Sequence, residues 1–322
     1  MRNRSQPELS ILLVNWNGID LLESCLRSIA DSPPNVAYNV IVVDNASSDG
    51  SVRWLQSGTA DRLLGNAGLQ VIQNDVNVGF GKANNQAMAL SSAPMFLLLN
   101  TDTEVRPGAI DRLVATLTSD RRIGACGPRL VNLDGSLQTS VWPNPPTPWW
   151  ILADGLRVYK LLPRRIRGEL LLGSHWDHAR RREVDMISCA AILVRRTVVE
   201  QVGGFDEIFH MYHEDVDWCL RMVRAGWRIV FEPEAVVMHS WGQSSRKRWT
   251  DLEKLEQILR NGHLFCRKHL SRCHRLLLDA ATSIVCVAEW CWRKMHGKPV
   301  HDVETILRLT LTEVWHEFAK VR

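Results

Sequence analysis

The run Phe96-Leu97-Leu98-Leu99-Asn100-Thr101-Asp102-Thr103 carries the densest chemical signal in the chain. Its apolar residues stop abruptly at Asn-Thr-Asp-Thr, as a buried strand of a parallel sheet does where it leaves the core. Ligands of such sheets bind just past the carboxyl ends of the strands. A carboxylate placed there, Asp102, can hold a hard divalent cation, and the cation can hold a diphosphate. The same residue also reads as a helix N-cap or a turn, so it needs company. Glu214-Asp215-Val216-Asp217 and His239 supply it. Carboxylates at a helix start are favoured by the dipole, but so many in four residues exceed what capping requires. Asp215 suits a general base for an attacking hydroxyl, with Glu214 beside it in reserve. His239 closes the apolar run Ala235-Val236-Val237-Met238 and either shares a cation with Asp102 or serves only structure.

These residues need a sheet on which to converge. Leu9-Ser10-Ile11-Leu12-Leu13-Val14, Val40-Ile41-Val42-Val43, Leu69-Gln70-Val71-Ile72 and Met95 to Leu99 read as strands, ending at Asn15, Asp44, Asn74 and Asn100. Between them, Leu21, Leu22, Cys25, Leu26 and Ile29 recur at helical spacing, Ser47-Ser48-Asp49 reads as a capping segment, and Gly79 opens a helix containing Ala83, Asn84, Asn85 and Ala87. Strands alternating with helices imply βαβ units, so the polar strand ends line one edge, the expected nucleotide crevice. The first strand runs into Asn15-Trp16-Asn17-Gly18, with neither Gly-x-Gly-x-x-Gly nor a Walker A lysine. That argues against a nicotinamide dehydrogenase and a P-loop NTPase, and a nucleotidyltransferase would want a glycine-rich basic loop there. Side chains must grip any nucleotide; Asp44 suits a base or ribose hydrogen bond, or caps the next helix.

From Val141 to Arg182 the pattern dissolves, and Pro143, Pro145, Pro146 and Pro148 predict irregular structure around Trp149-Trp150, as in an insertion or a long active-site loop. Met186 to Val194 resumes as a strand. Gly203-Gly204-Phe205-Asp206 reads as a turn, Glu214 opens a helix that Gly226 ends, and Val230-Phe231 and Ala235 to Met238 read as strands. Ser240-Trp241-Gly242-Gln243-Ser244 reads as a mobile loop, and from Arg246 the chain reads helical to its end.

With 322 residues and 45% hydrophobic content, the chain can build one large α/β domain with an appendage, or two domains. A net charge of +4 is too mild to argue for nucleic acid. Basic residues cluster at Arg164-Arg165-Ile166-Arg167, Arg180-Arg181-Arg182 and Arg246-Lys247-Arg248, which suits phosphates, anionic membranes or plain solvation. The eight cysteines contain no Cys-x-x-Cys, which argues against zinc and for reduced thiols. Residues 1–8 offer no secretory apolar stretch, so the expected location is cytoplasmic.

As an ordered set, Asn15-Trp16-Asn17, Asp44-Asn45-Ala46-Ser47-Ser48-Asp49-Gly50, Asn77-Val78-Gly79-Phe80 with Asn84-Asn85, and Leu99-Asn100-Thr101-Asp102 resemble the family 2 glycosyltransferases of GT-A fold. Trp176-Asp177-His178, Arg182-Glu183-Val184-Asp185, Gly203-Gly204-Phe205-Asp206-Glu207 and Tyr212-His213-Glu214-Asp215-Val216-Asp217 resemble its rhamnosyltransferase-type branch. The resemblance spans residues 8 to 245. It implies an α/β fold, Rossmann-like, with a mostly parallel mixed sheet and flanking helices over residues 1–245, followed by a helical extension at 246–322. It also implies inverting transfer of one sugar, rhamnose or a similar hexose, from a dTDP- or UDP-linked donor. The acceptor would be a glycan or polyprenyl-diphosphate-linked hydroxyl, as in cell-surface polysaccharide assembly. By motif, Asp44 would meet the nucleoside base, and Asn15, Asn17, Asn77, Gly79, Asn84, Asn100, Asp102 and Asp185 would line the donor site. Asp102 and His239 would hold Mg²⁺ or Mn²⁺, and Asp215, paired with Glu214, would be the base. The departures are Asn100 and Thr101 where many members carry a further acid, Cys189 where a glycine is usual, and the lack of the Gln-x-x-Arg-Trp run of processive synthases.

The segment Leu276 to Trp292 is apolar but carries Asp279 and Glu289, too charged to span a membrane. With Arg275, Arg293, Lys294, Trp290 and Trp292 it fits either an interfacial helix or one packed on the protein. Ile306, Leu309, Val314 and Phe318 suggest a further amphipathic helix. The expectation is peripheral association with the inner face of the cell membrane, with homo-oligomerisation left open. A non-catalytic partner subunit that binds nucleotide sugar or glycan is the alternative; joint retention of Asp102, Asp215 and His239 favours the enzyme.

Overall fold

The computed structural model of the chain describes residues 6–65, 67–240 and 250–319. Apolar runs become strands β1 (Leu9–Asn15), β2 (Tyr38–Asp44), β3 (Leu69–Gln73) and β4 (Met95–Asn100). Between them lie α1 (Ile19–Asp31), the short α2 (Ser51–Gln56) and α3 (Thr59–Leu64), and α4 (Phe80–Leu90). β5 (Thr103–Val105), α5 (Ala109–Ser119) and β6 (Ile123–Val131) follow, then α6 (Pro148–Gly155) and α7 (Arg164–Leu171). β7 (Arg182–Val184), β8 (Ala191–Arg195), α8 (Arg196–Val202), α9 (Glu214–Arg224) and β9 (Arg228–His239) complete the sheet region. α10 (Asp251–His269), α11 (Arg272–Met295) and α12 (His301–Ala319) end the chain.

The strands form one sheet in the order β3-β2-β1-β4-β8-β6-β9-β5, with β7 pairing β9. β3, β2, β1 and β4 are mutually parallel, as are β6 and β9, whereas β8 runs antiparallel to both of its neighbours. The layered core explains the sequence pattern: Ile11, Leu13, Val40, Val42, Leu97 and Leu99 are buried on the sheet face that Leu22, Leu26 and Ile29 of α1 cover. Each such side chain contributes about 1.5–3 kcal/mol when fully buried.

The structure differs from the sequence reading in several elements. The proline-rich stretch does not preclude a helix: Pro148 sits at the start of α6, where its missing N–H has no helical partner to lose, and the Thr147 side chain accepts from Trp150 N. β8 begins at Ala191 rather than Met186. The two short strands expected around Val230 and Val236 are one, β9, with a register shift against β6 between Pro128 and Arg129. The region between Thr103 and Val131, unassigned from sequence, supplies β5, α5 and β6. The Trp241–Ser244 segment and the Arg246–Arg248 cluster lie outside the described residues.

The chain divides into two compact units: Met1–Trp142 with His178–Ser244, and Pro143–Asp177 with Ser245–Arg322. The second unit thus adds residues 143–177 to the helical residues from 246 onward. Within it, α6 packs on α11 so closely that a Cβ at Gly155 would lie 2.4 Å from Val285. Ion pairs Arg267–Glu313 (2.6 Å), Arg308–Glu256 (2.8 Å) and Arg293–Asp302 (2.8 Å) join its long helices. Among the described residues, no helix is long and apolar enough to cross a membrane.

Candidate functional site

The parallel registers bring the strand ends to one edge of the first unit: Asn15 lies opposite Asp44, Val14 opposite Asn100, and Asp44 opposite Gln73. There the polar residues tie the loops together. Asp44, fully buried, accepts from Asn15 Nδ2 (2.9 Å) and from Ser47 N (2.8 Å). Asn17, held at φ 51°, accepts from Ser48 N (2.7 Å), while its own N–H donates to Ser47 Oγ (2.9 Å). Asn45 joins the next loop, donating to Asn77 Oδ1 (3.0 Å) and accepting from Val78 N (3.0 Å) and Asn74 Nδ2 (3.1 Å). Asn77 also accepts from Gly79 N (3.0 Å). Asn84 donates to Phe80 O within its own helix. Asp44, Asn77 and Asn84 thus each have a protein partner that positions a loop or a helix start. Asn15 Oδ1 is a buried acceptor with no hydrogen-bond partner among the described residues.

Past β4, the chain turns through Asp102 into β5, whose Thr103 pairs with His239 at the end of β9. His239 Nε2 comes to 3.2 Å from Asp102 Oδ1, with both side chains nearly buried. Gln138 Oε1 accepts from His239 Nδ1 at 2.6 Å, and Gln138 Nε2 donates to Asn132 Oδ1 (2.9 Å) and His239 O (3.2 Å). With Nδ1 carrying the hydrogen, a neutral imidazole directs the Nε2 lone pair at the carboxylate. In that form two acceptors face each other, an arrangement that a shared cation satisfies, whereas an imidazolium would pair with Asp102 directly. Adjacent ligands of an octahedral cation with bonds of about 2.1 Å stand about 3 Å apart, close to the separation seen. The pair therefore fits a divalent cation. Among the described residues, no group of three His, Cys, Asp or Glu side chains comes together, so further ligands would be water or substrate oxygens.

The acid pair opens α9, and the preceding segment is built to place it. Asn85 Nδ2 donates to Phe205 O (2.9 Å), and its Oδ1 accepts from Phe205 N (2.9 Å), which clamps the Gly203–Phe205 turn onto α4. Phe205 then packs on Trp218 of α9, ring centroids 4.4 Å apart. Downstream, His210 O accepts from Phe80 N (3.2 Å) directly over Gly79. Tyr212 and His213 both adopt positive φ, 72° and 70°, immediately before Glu214. Consecutive non-glycine residues in that region are strained and cluster at functional sites. Asp217 does not join the acid pair; it is buried and accepts from Arg221 (2.8 Å), whose guanidinium also donates to Val202 O and Gly204 O.

Glu214 is buried, and its Oε2 has no hydrogen-bond partner among the described residues. Burial, followed by the charge of Asp215, pushes its carboxyl well above the usual range. Burial also raises Asp215, but the N–H groups of Val216 and Cys189 oppose it by donating to the ionised form. Two neighbouring carboxyls with environments of this kind can divide their roles, Glu214 being the one whose surroundings favour the proton and Asp215 the one with donors to its ionised form. Cys189, the departure noted in the sequence, is a buried thiol raised well above its usual range by burial, then by Cys219, Asp215 and Glu214. It precedes Ala190, whose carbonyl accepts from Asn100 N (2.9 Å). Cys189 thus connects the acid pair to the end of β4. Asp185 is exposed, on the segment after β7.

Sequence reasoning had no route to Gln138 and His210, because each acts on a residue remote in the chain. Among the basic clusters, Arg181 is bonded to the buried carboxylate of Glu232 and to Thr116 Oγ1, and so supports β9. In the second unit, Trp292 lies beneath the Lys298 ammonium (4.4 Å to the ring centroid), and Trp290 Nε1 donates to Glu304 (3.0 Å). The exposed large apolar residues of α11 are Leu277, Ile284, Val287, Trp290 and Met295.

Residues 10–203 match the family described as Glycosyl transferase family 2. The chain is similar to the N-acetylglucosaminyl-diphospho-decaprenol L-rhamnosyltransferase of Mycobacterium tuberculosis, 30% identical over 263 residues that cover 74% of this chain and 77% of that one. Its fold is similar to that of the mannosyltransferase PcManGT from Pyrobaculum calidifontis, solved with GDP-Man and Mn²⁺. The TM-score is 0.60 at 12% identity, over 97% of this chain and 88% of that chain. Residues 1–349 of TarS from S. aureus, solved with UDP-GlcNAc, align with a TM-score of 0.54 at 13% identity, over 96% of this chain and 92% of that chain.

Proposed function

The chain belongs to glycosyl transferase family 2, in its rhamnosyltransferase-type branch and with the GT-A fold, and from that premise we propose the reaction its site performs. The enzyme transfers one sugar, rhamnose or a related hexose, from a dTDP- or UDP-linked donor to a hydroxyl of a polyprenyl-diphosphate-linked glycan, with inversion. The observation that carries this reading is the approach of His239 Nε2 to Asp102 Oδ1 at the edge where β1, β2 and β4 end.

Asp102 and His239 would hold Mg²⁺ or Mn²⁺, which when bound neutralises charge on the donor diphosphate. The nucleoside lies along the loops after β1, β2 and β3, where Asp44 acts through Asn15 and Ser47 and where Asn17, Asn77 and Gly79 fix the backbone. Asn100 and the exposed Asp185 contribute to the sugar end, and Asn84 holds the start of α4 beneath it. Asp215 removes the proton from the acceptor hydroxyl as that oxygen forms its bond to the anomeric carbon, on the face opposite the diphosphate. The bond from that carbon to the diphosphate oxygen breaks, and the nucleoside diphosphate leaves with the electron pair. Glu214, whose protonated form burial favours, would leave the negative charge to Asp215 and offer a hydrogen to a ligand oxygen.

A lipid-linked acceptor places the enzyme at a membrane surface. Exposed Leu277, Ile284 and Val287 on α11 offer an apolar stripe, and Arg272 and Lys294 stand near its two ends. This supports peripheral association with the inner face of the cell membrane. The test of the reaction is transfer from a panel of dTDP- and UDP-sugars onto a synthetic polyprenyl-diphosphate-GlcNAc acceptor, with the product anomer determined by NMR. A retained configuration, or no turnover with any sugar of the panel, contradicts the proposal.

A further inference from the structure

We propose that Gln138 is the positioning residue that commits His239 to the cation: it fixes the imidazole tautomer so that Nε2 is the nitrogen offered beside Asp102. The inference rests on the metal site proposed above and assigns a residue to its support.

Gln138 is held where it can do this. After β6 the chain reverses through a tight loop in which Gly135 N donates to Asn132 O (2.9 Å) and Asn132 N to Ser136 O (2.8 Å). Gln138 N donates back to Leu130 O (2.9 Å), pinning the residue against the strand it has just left. β6 pairs in parallel with β9, with Leu130 opposite Val237, so Gln138 and His239 stand at the same end of two neighbouring strands.

The amide has only one orientation that satisfies its surroundings. Asn132 Oδ1 (2.9 Å) and His239 O (3.2 Å) are both acceptors, so they take the two hydrogens of Gln138 Nε2. The amide oxygen is thereby turned to His239 Nδ1, 2.6 Å away, and can only accept there. Nδ1 must carry the hydrogen, and Nε2 is left facing Asp102 at 3.2 Å. Had the amide been placed the other way, its N–H would have met Nδ1, put the hydrogen on Nε2, and satisfied Asp102 with a plain hydrogen bond. In the arrangement present, the neutral imidazole aims its lone pair to the side of Asp102, where a shared cation can take both ligands. Outer hydrogen bonds of this kind orient metal-bound histidines, and their loss typically costs about 10- to 100-fold in metal affinity.

The test uses the full chain, as wild type, Gln138→Met and Gln138→Glu. Mn²⁺ alone is titrated by water-proton relaxation, and the His239 tautomer is read from long-range ¹H–¹⁵N correlations of histidine-labelled protein, assigned by the signal lost in His239→Asn. Gln138→Met keeps the length and removes the acceptor: Mn²⁺ should bind roughly 10- to 100-fold more weakly, and Nδ1–H should cease to be the sole tautomer. Gln138→Glu keeps an acceptor opposite Nδ1 but loses the donors to Asn132 Oδ1 and His239 O, so it should keep the hydrogen on Nδ1 and retain more of the Mn²⁺ affinity than Gln138→Met. A purely structural glutamine would lower the melting temperature of both variants and move neither readout. Unchanged Mn²⁺ affinity and tautomer in Gln138→Met, beside a wild type that binds Mn²⁺, overturn this inference and leave the metal site standing. Failure of the wild type itself to bind Mn²⁺ overturns both.

Discussion

Gly79→Ala isolates the way the loop over α4 positions the acid pair. Gly79 has φ 92° and ψ 167°, a region essentially reserved for glycine. A methyl there would lie 2.7 Å from His210 O and 2.8 Å from His210 Nδ1, where ordinary contact begins at 3.4 Å. The backbone strain alone costs about 1–3 kcal/mol, or about 2–4 °C in Tm per kcal/mol for a domain of this size. The contact adds a displacement: His210 must retreat by about 0.7 Å, and it lies on the strained segment that runs through Tyr212 and His213 into Asp215. Since a misplacement of about 1 Å can cost about 10²-fold, kcat should fall roughly 10- to 100-fold. The assay is steady-state sugar transfer alongside thermal unfolding. Gly108→Ala is the control, because Gly108 also has positive φ, 75°, but nothing lies within 4 Å of its Cβ position. It should lose stability and keep kcat. A Gly79→Ala enzyme with wild-type kcat would refute the claim that this contact sets the acid pair.

Asp215→Asn should lower kcat by about 10²- to 10⁴-fold with little change in donor affinity; if Glu214→Gln lowers kcat more, the two roles are reversed. Glu214→Gln should also stabilise the fold at neutral pH. Burial raises the Glu214 carboxyl in the folded state, so its contribution is intact below the unfolded value of about 4.3 and is lost as pH rises. The Tm advantage of the variant should therefore grow from pH 4 to pH 8 and vanish at the acid end, and a constant difference would contradict the assignment. Sedimentation with anionic vesicles should be weakened by salt and lost on truncation before Ser271, whereas equal failure to bind anionic and neutral vesicles at low salt would count against membrane association.

The parts of the fold legible in the sequence are those in which one segment carries its own signal. β1, β2 and β4 are continuous apolar runs because helices cover both sheet faces, and their polar ends mark the edge that collects Asn15, Asp44 and Asn100. β6 escaped notice because Gly124, Gly127 and Pro128 look like loop residues. The glycines are needed because a Cβ at either would lie under 3 Å from Val198 or Ile187, and Pro128 stands at a register shift. α6 was hidden by a proline that starts the helix rather than breaking it. Asp102 and His239 were readable as residue types at strand ends, but their 3.2 Å approach depends on β5, three residues long and without periodicity. The support from Gln138, 101 positions away from His239, leaves no trace in local pattern.

The most direct test of the account is sugar transfer by wild type and Asp102→Ala, each with excess Mn²⁺ and with excess EDTA. The edge formed by Asp102 and His239 is held to bind the donor diphosphate through a divalent cation. Wild type should turn over with Mn²⁺ and lose activity in EDTA, and Asp102→Ala should be inactive in both while unfolding at a temperature near wild type. Full wild-type turnover in EDTA would mean that the 3.2 Å contact is an ordinary ion pair and that the chemistry of this edge proceeds without a metal.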